Sequence, residues 1–237
     1  MNEKIAGMNA IVSGSGKVLL LLHGYLSKKE YFQKQIDYFS KWFKVVAVDF
    51  LGFNGQKIDY PFSLDDYKNS INRLIDELNV EKVDVLAHSF GSRVVLKMLP
   101  ENKKIDKIVL TGAAGLKPKK SLKVRFKIFK YKVLKRFVKR EKLENFGSSD
   151  YRTLDSVMKE SFVKIVNEHL DYRLKLIDNK VLLVFGSNDK ETPLYIAKRL
   201  QKGLKNSSLY VIDNASHFCF LEKHEEFNII VKEFLLQ

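Results

Sequence analysis

Short apolar runs alternate with amphipathic stretches along most of the chain. The runs 18–22, 45–48, 83–87, 108–111, 181–185 and 209–212 are dominated by aliphatic residues and are bounded by polar or turn-forming ones. Runs of this length without polar alternation predict strands covered on both faces, as in a parallel sheet. Between them, apolar positions recur at helical spacing. In 64–78 they fall at Leu64, Tyr67, Ile71, Leu74, Ile75 and Leu78, and Ser63 with Asp66 predicts a capping box at the start. A helix over 90–99 stops at Pro100, one over 193–204 opens on Pro193, and one over 222–235 closes the chain. Strand–helix alternation predicts an α/β fold, a mostly parallel central sheet flanked by helices. No internal repeat is present.

The alternation breaks once. Residues 112–180 contain no convincing strand, and a strand-to-strand crossover needs far fewer residues. The expected organisation is a core over 1–113 and 180–237 with a helical cap inserted over 114–179. Within that insertion, Gly147-Ser148-Ser149 predicts a break and a second helix is expected around 153–168.

Charge singles out the same region. The chain carries 42 Lys+Arg against 28 Asp+Glu, a formal charge of +14 over 237 residues, and the segment 117–142 alone contributes +12. The remainder is a nearly neutral globule. On a helical projection Arg125, Lys132, Arg136 and Lys139 share one face, with Tyr131, Leu134 and Val138 opposite. Three readings follow: the solvated face of a cap helix, contact with an anionic membrane surface, or recognition of an anionic substrate. Nucleic-acid binding is disfavoured, because Phe126, Phe129, Tyr131 and Phe137 sit on faces that a cap must bury.

The residues that carry chemistry lie in the core. Ala87-His88-Ser89-Phe90-Gly91 follows a strand directly and opens a helix, matching the nucleophile elbow G-x-S-x-G with Ala in the first Gly position. So sharp a turn needs small residues two before and two after the serine. It lifts the Ser89 hydroxyl above the sheet and sets the Phe90 N–H at a helix N-terminus, where it can donate to an oxyanion. A serine hydroxyl needs a base, and the base an orienting acid. Asp189 follows the run 181–185 and His217 follows 209–212, so all three lie just past strand ends, in the order Ser…Asp…His. Asp213 is the alternative acid, but it precedes His217 by only four residues and reads as a strand-end cap.

These motifs identify the chain as similar to the α/β-hydrolase superfamily nearly end to end. His23-Gly24 resembles the family's HG oxyanion turn, which implies the Tyr25 N–H as the second donor. Asp49-Phe50-Leu51-Gly52-Phe53 resembles its D-x-x-G-x segment, and Phe220 to Phe227 its closing helix, with His224 where Pro is common. The chain departs at Ala87, at Asn54 and Gln56 in the usual G-x-S turn, and in a short leader with room for one strand, 8–12. The family's first strand is therefore expected to be missing. Within the superfamily the chain is most similar to the small capped esterases and carbon–carbon bond hydrolases. A serine nucleophile implies acyl transfer or retro-Claisen cleavage rather than the Asp chemistry of haloalkane dehalogenases. The expected function is a serine hydrolase acting on a carboxylic ester or thioester of a small molecule. The alternatives are a carbon–carbon bond hydrolase and a non-catalytic ligand- or lipid-surface-binding protein.

Other signals are weaker. Ser13-Gly14-Ser15-Gly16-Lys17 lacks the first Gly and the Ser/Thr of a phosphate loop and precedes a strand, so it reads as a turn. Neither a cofactor nor a metal is expected, since no close His/carboxylate set is present. His23 and His88 read as structural, His169 and His224 as solvent-facing, and Cys219 as a small packed side chain. A single cysteine, no apolar run near the ~20 residues that span a bilayer, and no signal-peptide core predict a cytoplasmic location.

Overall fold

The structure, a computed structural model, describes residues 2–119 and 154–237. Eight strands form one sheet: β1 (Asn2–Ile5), β2 (Met8–Ser13), β3 (Val18–Leu22), β4 (Lys44–Val48), β5 (Val83–His88), β6 (Ile105–Thr111), β7 (Val181–Gly186) and β8 (Ser207–Ile212). Their spatial order is β1-β2-β4-β3-β5-β6-β7-β8. The first two pairings are antiparallel and the other five parallel, so the predicted, mostly parallel sheet is present.

One expectation fails at the start of the chain. The leader holds two strands, and the first is not missing. β1 and β2 form a hairpin closed by Ala6 (φ 50°) and Gly7 (φ 80°), with Ile5 opposite Met8. Two consecutive residues at positive φ match the twist of the strands they join. The turn lacks Asn or Asp, and β1 exposes three of its four residues, so neither signal marks the hairpin in the sequence.

Each central strand feeds two cores. In β3 every side chain is at most 1% exposed, yet Leu20 and Leu22 join one cluster while Leu19 and Leu21 join the other. The two-residue period of a strand sends neighbours to opposite faces. One face is covered by α2 (Leu64–Glu77), α3 (Phe90–Met98) and α5 (Leu194–Gly203), the other by α1 (Gln33–Phe39) and α7 (His224–Leu236). A fully buried aliphatic side chain stabilises by roughly 1.5–3 kcal/mol, so β3 is a principal anchor of the sheet.

The capping box at Ser63 is present in both directions: the Asp66 N–H donates to Ser63 Oγ at 3.3 Å, and the Ser63 N–H to Asp66 Oδ2 at 2.7 Å. The closing helix begins at His224 rather than residue 222, after the single turn α6 (Cys219–Glu222). The seven residues of α1 are too few to show a readable helical period.

Between β6 and β7 lies α4 (Ser156–Asn167), started by Asp155, whose side chain accepts from the Met158 N–H, and followed by a 3-10 turn at Asp171–Leu176. The basic segment 117–142 falls outside the described residues beyond Lys119. Among the described residues no helix is long and apolar enough to cross a membrane.

Candidate active site

Ser89 sits between β5 and α3 with φ 49° and ψ −105°, a backbone region a non-glycine residue occupies only under constraint. The constraints are visible. The Ser89 N–H donates to Thr111 O at 3.0 Å, its carbonyl accepts from the Ala114 N–H at 3.2 Å, and the Gly91 N–H donates to His23 O at 3.1 Å. A Cβ on Gly91 would lie 2.4 Å from Leu22 O, so the elbow closes onto β3 only with glycine there. Ala87, on the other side, is fully buried and its methyl is accommodated.

The Asp189 and His217 loops meet at the same edge. His217 Nδ1 lies 2.8 Å from Asp189 Oδ2, with both side chains nearly inaccessible. Asp189 also accepts the Thr192 hydroxyl at 2.7 Å, and its Oδ1 accepts the N–H groups of Glu191 and Thr192 at 2.9 and 2.8 Å. Burial pushes the Asp189 carboxyl up, but the hydrogen bonds from His217 and Thr192 outweigh it and hold the group below the usual carboxylate range. An ionised Asp189 only accepts, so Nδ1 carries the proton and Nε2 keeps a lone pair. Asp213 is exposed and takes no part.

His88 joins the serine and histidine segments. Its ring lies 4.6 Å from that of His217, and its Nε2–H donates to the His217 carbonyl at 3.1 Å. Burial first, and the nearby His217 second, push its pKa down to about 3, so it stays neutral.

On the other side of Ser89 lies the His23-Gly24-Tyr25 turn. A Cβ on Gly24 would come within 3.4 Å of Ser89 Cβ, which places this turn directly against the serine. The Phe90 N–H belongs to the first turn of α3, where a helix has no internal acceptor to offer. Neither it nor the Tyr25 N–H enters a turn or loop backbone bond among the described residues. His23 is held in one tautomer: Nδ1–H donates to Gly24 O at 2.7 Å, and Nε2 accepts the Phe50 N–H at 3.0 Å. Burial lowers its pKa to about 4. Both His23 and His88 thus hold loops in place, as expected.

Sequence reasoning missed four contributors. Thr192 completes the Asp189 cage, and its i+3 spacing from an Asp before a Pro was the available signal. Lys29 is buried and pairs with Asp49 at 2.7 Å, and its own N–H donates to Asp49 Oδ1 at 2.9 Å. Asn54 also donates to Asp49, at 2.9 Å, and Gln56 to the Asp49 carbonyl, at 3.2 Å, so the departures from the G-x-S turn bond the same loop. Glu191 Oε2 lies 3.5 Å from His217 Nε2, and Arg93 is buried one turn beyond Ser89. Nothing in their spacing announces the last two. His169 and His224 are half buried, which corrects the expectation that they face solvent. Cys219 is buried beside Thr111, and burial pushes its thiol up to about 11, in keeping with a packed side chain.

Two cavities flank this centre. One, of about 310 Å³, is walled by Leu26, Tyr31, Phe53, Leu154 and Met158, with Lys28 and Asp155 also lining it. The other, of about 210 Å³, includes Arg93, Ala114, Glu191, Thr192 and Tyr195. Among the described residues no group of three or more His, Cys, Asp or Glu could hold a metal ion.

Comparison with known proteins agrees with this architecture. The family profile described as "alpha/beta hydrolase fold" matches residues 17–139, and one described as "TAP-like protein" matches 163–237. A 2-hydroxy-6-oxo-6-phenylhexa-2,4-dienoate hydrolase of Comamonas testosteroni is 23% identical, over 95% of this chain and 90% of its own. A pimeloyl-[acyl-carrier protein] methyl ester esterase of Neisseria meningitidis is 25% identical, over 92% of this chain and 93% of its own. The bromoperoxidase structure from Bacillus anthracis superposes with a TM-score of 0.81 at 17% identity, over 100% of both chains. With the family profile spanning more than half of its length, the chain belongs to the α/β-hydrolase fold family and is a hydrolase.

Proposed function

We propose that this hydrolase cleaves a carboxylic ester or thioester through an acyl-Ser89 intermediate. The observation that carries the proposal is the buried Asp189–His217 pair at 2.8 Å, on the sheet edge where Ser89 is held at φ 49°. Ser89 Oγ attacks the carbonyl carbon while its proton passes to His217 Nε2. Asp189 holds the ring and stabilises the imidazolium, and the Tyr25 and Phe90 N–H groups receive the oxyanion. The tetrahedral intermediate collapses as Nε2–H protonates the departing alcohol or thiol. Water, deprotonated by Nε2, then attacks the acyl carbon, and the second tetrahedral intermediate breaks its bond to Ser89 Oγ, which takes the proton back from Nε2 as the acid leaves. Glu191 is the exposed group beside Nε2.

The same reading assigns 1–113 and 180–237 to the core and 114–179 to a cap. Its support is the way α4 and its flanks bond to the site's walls. Tyr25 Oη donates to Met158 O at 3.4 Å, the Phe62 N–H to Ser161 Oγ at 2.8 Å, and Lys164 Nζ to Pro61 O at 3.1 Å.

A fluorophosphonate probe should label the protein, and Ser89→Ala should abolish labelling. Labelling that persists in that variant overturns the assignment. The Comamonas relative's name supports a second reading, hydrolysis of a carbon–carbon bond in a vinylogous diketone. Steady turnover of such a substrate, with ester turnover absent, would favour it over the ester reading.

A further inference from the structure

Among the described residues Arg93 forms no ion pair with an acidic side chain. Its Nη1 donates to Ile165 O and Glu168 O, each at 2.7 Å, and these are carbonyl groups at the end of α4. The Glu168 carboxylate is bonded to Lys97 instead, at 2.5 Å, and Arg173 is paired with Glu101. The Arg93 side chain is buried, with 8% of the residue exposed. A helix C-terminus offers the equivalent of about half a negative charge, which leaves the guanidinium only partly compensated. Burial lowers its pKa to about 10, which the nearby Glu168 charge opposes without reversing.

This cation lines the cavity of about 210 Å³ whose walls reach the backbone of Ser89 and the ring of His217. Ala114 donates to Ser89 O at 3.2 Å, and Thr192 Oγ1 is 3.3 Å from His217 Nδ1. Nη2 and Nε of Arg93 enter none of the hydrogen bonds or ion pairs formed among the described residues. Tyr195, also in the wall, accepts from the Lys119 N–H at 3.2 Å and keeps its own hydroxyl proton to donate.

We propose that Arg93 anchors a subsite for a free carboxylate, so that the preferred substrate is an ester carrying a second, ionised carboxyl group. The inference rests on Ser89 being the nucleophile. A planar monoanion fits the unused side of the guanidinium fork. Glu191, in the same cavity, lies against His217, so the anion sits toward Arg93 and the ester toward Ser89. A dianionic phosphate would meet stronger repulsion from Glu191 in so small a space.

The test compares two p-nitrophenyl esters of equal length, the half-ester of glutaric acid and its uncharged glutaramate analogue. The wild-type ratio of kcat/KM, charged over neutral, should fall roughly 10- to 100-fold in Arg93→Met, the range of one charge-assisted contact. Arg93→Lys should retain part of the preference. An unchanged ratio, with both esters slowed together, overturns the subsite and leaves Arg93 as a cap on α4. Should Arg93→Met fail to fold, glutarate is titrated against wild type. It should slow fluorophosphonate labelling of Ser89 and raise the Tm of Ser89→Ala, and neither effect appearing overturns the subsite while labelling itself upholds the serine hydrolase. A glutarate-dependent Tm rise in a protein that never labels does the opposite, upholding the anion site and overturning the nucleophile.

Discussion

Two buried aspartates stand just past strand ends, each beside a histidine, and they do opposite things. Asp49 follows β4 near His23, and Asp189 follows β7 near His217. Asp49 accepts from the Lys29 ammonium, the Lys29 N–H and the Asn54 amide, and its oxygen stays 4.0 Å from His23 Nε2. That nitrogen already accepts the Phe50 N–H, so His23 cannot act as a base without breaking its own loop. Asp189 instead places an oxygen 2.8 Å from His217 Nδ1 and leaves Nε2 to Glu191 and the solvent side. On the proposed mechanism, proximity of Asp to His is therefore not what makes an oriented base. What counts is which ring nitrogen the carboxylate takes and whether the other is occupied.

The largest expected effect breaks the comparison on the Asp189 side. An amide in Asp189→Asn can donate to Nδ1 and so favours the wrong tautomer. On the proposed mechanism kcat falls by about 10⁴-fold while the fold survives. Steady-state kinetics alongside a thermal melt checks it, and a loss below tenfold would falsify the orienting role. Asp49→Asn should do the reverse. It leaves the Lys29 ammonium with only the more exposed Glu30, at 2.8 Å, as its counter-charge, which costs about 1.5–3 kcal/mol of stability. Urea unfolding should show the loss, with kcat per folded molecule changed far less than in Asp189→Asn.

The third effect lies in pH. His23 and His88 have folded pKa values lowered from 6.5 to about 4 and about 3. Unfolding frees both rings to bind a proton that the native state refuses. Stability is therefore fully present above about pH 6.5 and is lost as the pH falls toward 4. Asp189, held below its ordinary range, adds a loss of the same sign at lower pH. Tm measured from pH 7.5 to 4 should fall steeply below 6.5, and His88→Gln should flatten part of that slope. A flat wild-type profile across this window contradicts the buried neutral histidines.

The sequence exposes one side of the comparison better than the other. The Ser89 elbow, Asp189 and His217 lie just past strand ends, and strand ends are legible because each central strand is an unbroken apolar run. The Lys29–Asp49 pair was hidden, because Lys29 is buried by a 3-10 turn with no period to read. The β1–β2 hairpin was hidden for a related reason: an edge strand such as Asn2–Ile5 needs no apolar alternation, and Ala6-Gly7 is a weak turn signal. Arg93 carries no signal of its own in the sequence, since nothing local shows that Glu168 pairs elsewhere. Long-range pairing of charges is what a one-dimensional reading lacks.

The smallest effect is also the sharpest test of the Asp189 cage. Thr192→Val keeps the shape of the side chain and removes only the hydroxyl that donates to Asp189 Oδ2 at 2.7 Å. The backbone N–H bonds from Glu191 and Thr192 to Oδ1 remain, so Asp189 stays buried and ionised. A single hydrogen bond to a charged group contributes about 1.5–3 kcal/mol gross of what the methyl regains by burial. Part of that loss falls on stability and part on the hold over His217. The expected outcome is a kcat lowered by about threefold to tenfold with KM little changed, and a modest fall in Tm. Equal values for kcat would mean that the two backbone donors alone fix Asp189. A loss as deep as that of Asp189→Asn would mean instead that Thr192, 3.3 Å from Nδ1, shares in choosing the tautomer, and that the cage rather than the carboxylate alone orients the base.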